Sequence, residues 1–159
     1  MVILATVRGI PQLYYGSEIG MAGDQYKGDA DIRQDFPGGW KDDPINAFTD
    51  EGRTEGQKCY FDFTSKLFQW RKTKAVIHYG KTTHYIPEDN IYVYFRYIEN
   101  ESVMVVINNN IEHRTIPTVR FNENLENYKM GTCIFTDQSL EMKYDLNVEG
   151  KSFLILELS

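Results

Sequence analysis

The spacing of apolar residues changes once along the chain, near Gly80, and this change constrains the fold more than any other feature. Beyond it, short runs rich in Tyr, Val, Ile and Phe alternate at a period of two, the spacing at which successive side chains leave opposite faces of a strand. Residues 91–98, 102–107 and 152–158 are the clearest strands, with weaker ones at 82–86, 115–121, 132–135 and 140–144. Polar breaks at this spacing predict a small antiparallel β-sandwich. Glu99-Asn100-Glu101 separates two strong runs and predicts a hairpin turn, although it lacks the usual glycine.

Before Gly80 the pattern is different. Residues 1–7 are apolar and could close a buried helix, while residues 10–15, bounded by Gly9 and Gly16, predict a short strand. From Gly20 to Asp50 the chain is rich in Gly, Asp and Pro with no sustained apolar period, which predicts a long loop of the kind that carries function. Thr54-Glu55-Gly56-Gln57 matches a capping box, in which the hydroxyl and the amide satisfy free backbone N–H groups at a helix start. Tyr60, Phe63, Leu67 and Trp70 then recur at helical spacing, and Lys66, Arg71, Lys72 and Lys74 gather toward the end, where cations complement the helix dipole.

One short strand and one helix cannot bury both faces of either element, so the segment before residue 80 needs surface from elsewhere. The expected organisation is residues 1–79 as an incomplete α/β piece and 80–159 as an all-β domain. Charge narrows the partners: 17 basic against 23 acidic residues give a net charge of -6, which disfavours nucleic acid and anionic membrane surfaces. Cys59 and Cys133 stand far apart with no metal-ligand or disulfide-framework spacing, and two free thiols are expected. The apolar stretch at residues 1–7 has no basic flank and is too short for a signal core or a membrane span, so any export signal is expected upstream of Met1.

The run Gly9-Ile10-Pro11-Gln12-Leu13-Tyr14-Tyr15-Gly16-Ser17-Glu18-Ile19-Gly20-Met21 closely resembles the eighth barrel strand and following turn of the α-amylase family of glycoside hydrolases. Ser17 stands where many members carry Asp. Asp29-Ala30-Asp31-Ile32-Arg33 resembles the family's D-P-x-x-R loop element, with Ala30 in place of Pro. The segments 33–40 and 52–54 and the helix ending Trp70-Arg71-Lys72 resemble the neopullulanase and cyclomaltodextrinase-like branch. The resemblance implies the last strand, loop and helix of a (β/α)8 barrel followed by an antiparallel β-sandwich. It also implies a parent enzyme acting on α-glucans such as starch, maltooligosaccharides, pullulan or cyclodextrins.

Hydrolysis in this family needs two carboxyl groups about 5 Å apart, one as nucleophile and one as proton donor. The resemblance places both on earlier barrel strands, so no catalytic residue is assigned in this chain, Glu18 and Asp29 included, and the chain alone is expected to be inactive. It makes Asp29 and Arg33 the substrate-binding candidates: a carboxylate accepts from sugar hydroxyls and a guanidinium donates in a fixed plane. Their plain alternative is a loop aspartate and a surface ion pair. Asp29, Asp31 and Asp35 do not form a calcium loop, since Gln34 and Trp40 occupy the positions that need Gly and Glu. His78, His84 and His113 have no ligand spacing, so neither metal nor cofactor is expected. Trp40 could stack on sugar or fill a notch, Trp70 is expected in the core, and Tyr92, Tyr94 and Tyr97 in cross-strand pairs. A carbohydrate-binding module and a homodimer through an exposed barrel edge are the competing readings.

Overall fold

The computed structural model describes all 159 residues, which form two compact units: Met1–Ala5 with Ile10–Gln69, and Thr6–Gly9 with Trp70–Ser159. In the first, helix α1 (Val2–Thr6) leads into an irregular stretch and two single 3-10 turns, Ser17–Ile19 and Gln25–Lys27. A one-turn helix α2 (Asp29–Ile32) follows, then loop up to α3 (Glu55–Lys72). Residues 10–15, expected as a strand, carry no ladder. All eight strands of the chain lie between Lys81 and Leu158, and an extended segment becomes a strand only when a neighbour takes its N–H and C=O groups.

Helix α3 starts where its sequence says it should. Thr54 donates its backbone N–H to the Gln57 side-chain oxygen at 2.9 Å, and the Gln57 N–H reaches the Thr54 hydroxyl at 3.3 Å, closing the capping box. Its apolar stripe is graded rather than uniform: Leu67 is fully buried, Phe63 and Trp70 are half-buried, and Tyr60 is exposed. Trp70, expected in the core, keeps its indole N–H for the Glu157 carboxylate, a polar partner that holds the ring at the margin.

The second unit contains helix α4 (Ala75–Tyr79) and strands β1 (Lys81–His84), β2 (Ile91–Ile98), β3 (Glu101–Asn108), β4 (Arg114–Ile116), β5 (Met130–Cys133), β6 (Ser139–Glu141), β7 (Leu146–Val148) and β8 (Ser152–Leu158). Six strands make one antiparallel sheet in the order β1-β2-β3-β8-β5-β6, and β4 pairs with β7 in a small second sheet. The hairpin predicted at residues 99–101 is present, with Ile98 opposite Glu101. The β1–β2 hairpin turns at Asp89-Asn90, both left-handed at φ 49° and 58°, a turn whose twist matches that of the strands it joins. The run expected as a strand over 115–121 divides at Pro117. Pairing stops at Ile116 because proline has no N–H to give, and Thr118–Phe121 coil into a 3-10 turn that precedes the one-turn helix α5 (Asn122–Leu125).

Register explains the core. Phe95, Met104, Leu156 and Cys133 lie directly opposite one another across β2, β3, β8 and β5, and all four are buried. They join Val93, Val106, Ile116, Phe121, Leu146 and Val148 in one apolar cluster. The other face of the sheet is covered as well, since Tyr94, Arg96, Val103, Val105 and Ile155 are equally inaccessible. There Tyr94 shares a hydrogen bond with the Thr6 hydroxyl, while Arg96 donates to Thr82 and, at 2.8 Å, to the Ile77 carbonyl. Glu157, on the same face, binds the Lys74 ammonium at 2.6 Å. A sheet covered on both sides needs near-continuous apolar strands, which is what β2 and β3 supply.

Burial, above all, pushes the Tyr94 phenol from 10.0 up to about 12. The neutral phenol is the form the fold favours, so this group's contribution to stability is complete below pH 10 and is lost as pH rises through 12. Tyr94→Phe is therefore expected to flatten the fall in melting temperature between pH 9 and pH 12, followed by circular dichroism. The residual slope belongs to groups such as Tyr85, which burial and its bond to Glu123 also raise. Met104→Ala, at the centre of the transverse row, is expected to cost about 2–5 kcal/mol in denaturant unfolding.

Candidate functional site

The substrate-contact candidates sit in the first unit, on a loop whose shape two glycines permit. Gly16 adopts φ 82° and Gly20 φ 67°, a left-handed pair bracketing the 3-10 turn. A Cβ at Gly16 would overlap the Met21 side chain, and one at Gly20 would press into the Tyr60 ring. Met21 donates its N–H back to the Gly16 carbonyl at 2.9 Å, so the chain doubles on itself immediately after the motif.

A network of short-range bonds then fixes the loop. The Asp24 N–H donates to the Asp31 carboxylate at 2.5 Å, the Asp24 carboxylate caps the Tyr26 N–H at 2.9 Å, and the Gln34 amide donates to the Asp31 carbonyl at 2.8 Å. Tyr15 closes the circuit by donating its hydroxyl to the Gln34 carbonyl at 2.9 Å. Its phenol is raised from its ordinary value, first by the neighbouring Tyr14, then by desolvation. Tyr14, Tyr15, Met21, Asp31 and Gln34 are among the residues that line a hollow of only about 60 Å³, room for little more than water.

On the rim of this loop, Asp29 and Arg33 stand one helical turn apart and pair at 3.3 Å, with 74% and 63% of their side chains exposed. The structure thus brings both candidates together and presents them to solvent. Asp31 holds the loop without any local sequence signal for that role, because an aspartate seven residues from its N–H partner falls outside the local Asx pattern.

Farther along, Arg53 gathers the loop before α3. It donates to the Ala47 carbonyl at 2.8 Å and the Phe48 carbonyl at 3.1 Å, and its guanidinium lies 3.5 Å over the Phe61 ring. Trp40 is held only through its backbone, by the Asp43 carboxylate at 2.9 Å, and its indole is 79% exposed. That exposure leaves the ring free to stack.

Comparisons with known proteins bear on this arrangement. Residues 82–157 match the family described as cyclo-malto-dextrinase C-terminal domain. The chain is 28% identical over 116 residues to a cyclomaltodextrinase of Thermoanaerobacter pseudethanolicus, a match covering 73% of this chain and 17% of the relative. It is 31% identical over 113 residues to neopullulanase 2 of Thermoactinomyces vulgaris, covering 70% and 17%. In fold it resembles the α-amylase of Geobacillus thermoleovorans crystallised with acarbose, at a TM-score of 0.72 and 24% identity, over 100% of this chain and 32% of that one. The chain is related to the carboxyl-terminal part of α-amylase-family enzymes. The chain spans about a sixth of the length of these curated relatives.

Since the Asp29–Arg33 pair is solvated, Asp29→Asn and Arg33→Ala are each expected to shift unfolding free energy by no more than about 0.5 kcal/mol. Gly16→Ala, which must enter a left-handed conformation against Met21, is expected to cost more than about 1 kcal/mol. Urea midpoints of the three variants, measured side by side, check the ranking.

Proposed function

We propose that this chain is the closing edge of a (β/α)8-barrel hydrolase that cleaves α-glucans with retention, together with its carboxyl-terminal β domain. The observation that carries this reading is residues 10–14: an apolar-rich stretch outside any helix or turn, without a strand partner, and with Ile10 98% exposed. An apolar run with unpaired backbone fits a strand whose neighbours lie in sequence outside this chain. The short span of the curated relatives that the chain covers supports the same reading.

Bond cleavage would then belong to carboxylates on earlier strands of the barrel. Asp29 lacks the surroundings of a general acid: it is exposed and already bonded to a guanidinium, whereas proton donors in such enzymes sit in apolar pockets. The role that suits Asp29 and Arg33 is contact with sugar on the non-reducing side of the cleavage point. The carboxylate accepts from hydroxyls, the guanidinium donates to hydroxyl and ring oxygens, and their mutual pairing holds both in place before substrate arrives. The exposed Trp40 indole on the same loop supplies a stacking surface.

The isolated chain is expected to release no reducing sugar from amylose or pullulan, and detectable hydrolysis would overturn the reading. In the full-length enzyme, Arg33→Ala is expected to raise KM for a maltooligosaccharide about five- to tenfold with a smaller change in kcat. An unchanged KM would remove Arg33 from the substrate site.

A further inference from the structure

A groove on the second unit opens where three elements end together. Tyr79 closes α4, Tyr97 and Glu99 lie at the β2–β3 hairpin, and Asn124, Asn127 and Tyr128 come from α5 and the turn after it. Its volume is about 630 Å³, within the roughly 300–1,000 Å³ of small-ligand clefts.

Two features separate this groove from ordinary surface relief. Its rings are not all spent on the core: Tyr79 is 85% exposed, Tyr97 is only half-buried at the end of an otherwise buried strand, and Tyr128, also half-buried, packs against the apolar cluster while lining the groove. Its polar groups are also available. The three phenols, the Asn127 amide and the Glu99 carboxylate make no hydrogen bond to the rest of the chain, while Tyr85 steadies the wall by donating to Glu123 at 2.8 Å and Asn124 at 2.9 Å. Tyr97 is pinned in register between Lys81 and Ser102 on neighbouring strands, so the ring that faces the groove stands on a rigid ladder.

The lining selects its ligand by charge and shape. Two carboxylates, Glu99 and Glu123, outnumber the single Lys81 ammonium and disfavour phosphates and acids. Aromatic faces beside amide and carboxylate groups suit a neutral ring with an apolar face and a rim of hydroxyls, which is a sugar. We propose that this groove binds an α-glucan chain as a non-catalytic site on the β domain. The α-linkage rests on the family reading above, and the sugar class rests on the lining alone.

The test is an amide NMR titration of the whole 159-residue chain with maltoheptaose and, separately, cellohexaose, to about 10 mM. Saturable maltoheptaose shifts confined to residues 79–81, 97–102 and 123–128 are expected, weakened about fivefold or more by Tyr79→Ala and by Asn127→Ala. Tyr79 is largely exposed, so its variant should keep the parent spectrum away from the groove, which separates lost binding from lost fold. Shifts centred elsewhere, binding unaffected by either substitution, or no response to either sugar would overturn the groove while leaving the enzyme reading intact. A response to cellohexaose without one to maltoheptaose would overturn the α-glucan assignment and count against the family-based substrate as well.

Discussion

The pairing of β2, β3 and β8 holds the second unit together. Strand β3 has full-length antiparallel neighbours on both sides, and it is inaccessible on both faces from Ser102 to Val106. Everything else in the unit either extends this three-stranded block or covers it. Strands β5 and β6 lengthen it through the Leu156–Cys133 register, the β4–β7 pair and the 3-10 turn at Thr118–Phe121 close over one face, and α4 with Thr6 covers the other. Because side chains on a strand alternate strictly, a slip of one residue would exchange Phe95 with Tyr94 or Arg96 and leave neither face satisfied. The presence of different chemistry on the two faces is thus itself a register lock.

Those two faces explain what could be read in advance. The strong strands at 91–98, 102–107 and 152–158 were legible because their β-branched and aromatic runs are long and bounded by turns, and the capping box of α3 because its bonds are local. Cys59 and Cys133 are free, as their spacing suggested. Strand β7 was not legible: three residues with one exposed polar centre give no usable periodicity, and only its partner β4 makes it a strand. Tyr94 illustrates the same limit. Composition marks it as a cross-strand aromatic, but its burial and its bond to Thr6 depend on a segment 88 residues away. The fate of residues 10–15 was undecidable locally for a related reason, because their sequence favours extension while strand identity is conferred by neighbours.

The loop candidates were legible as a motif and only partly as a structure. The resemblance singles out Asp29 and Arg33, and one helical turn brings the carboxylate of the first beside the guanidinium of the second at 3.3 Å. Sequence could not reveal the scaffold beneath them, in which Asp31, Gln34 and Tyr15 tie distant points of the loop. Asp31 is half-buried, whereas Tyr15, Gln34 and the Asp29–Arg33 pair are exposed, so the loop is held largely by surface hydrogen bonds.

The second face of the large sheet also bears on how such modules can be exchanged between enzymes. Its closing contacts come from Thr6, Trp70, Lys74 and Ile77, none of which belongs to the β strands themselves. A chimaera spliced at the first strand would inherit Tyr94, Arg96 and Glu157 without their counterparts, placing an arginine and a phenol against whatever helix the recipient happened to offer. Transplantable units of this kind are therefore longer than their strands, and the compatibility of donor and host is decided at Thr6 and between Trp70 and Ile77.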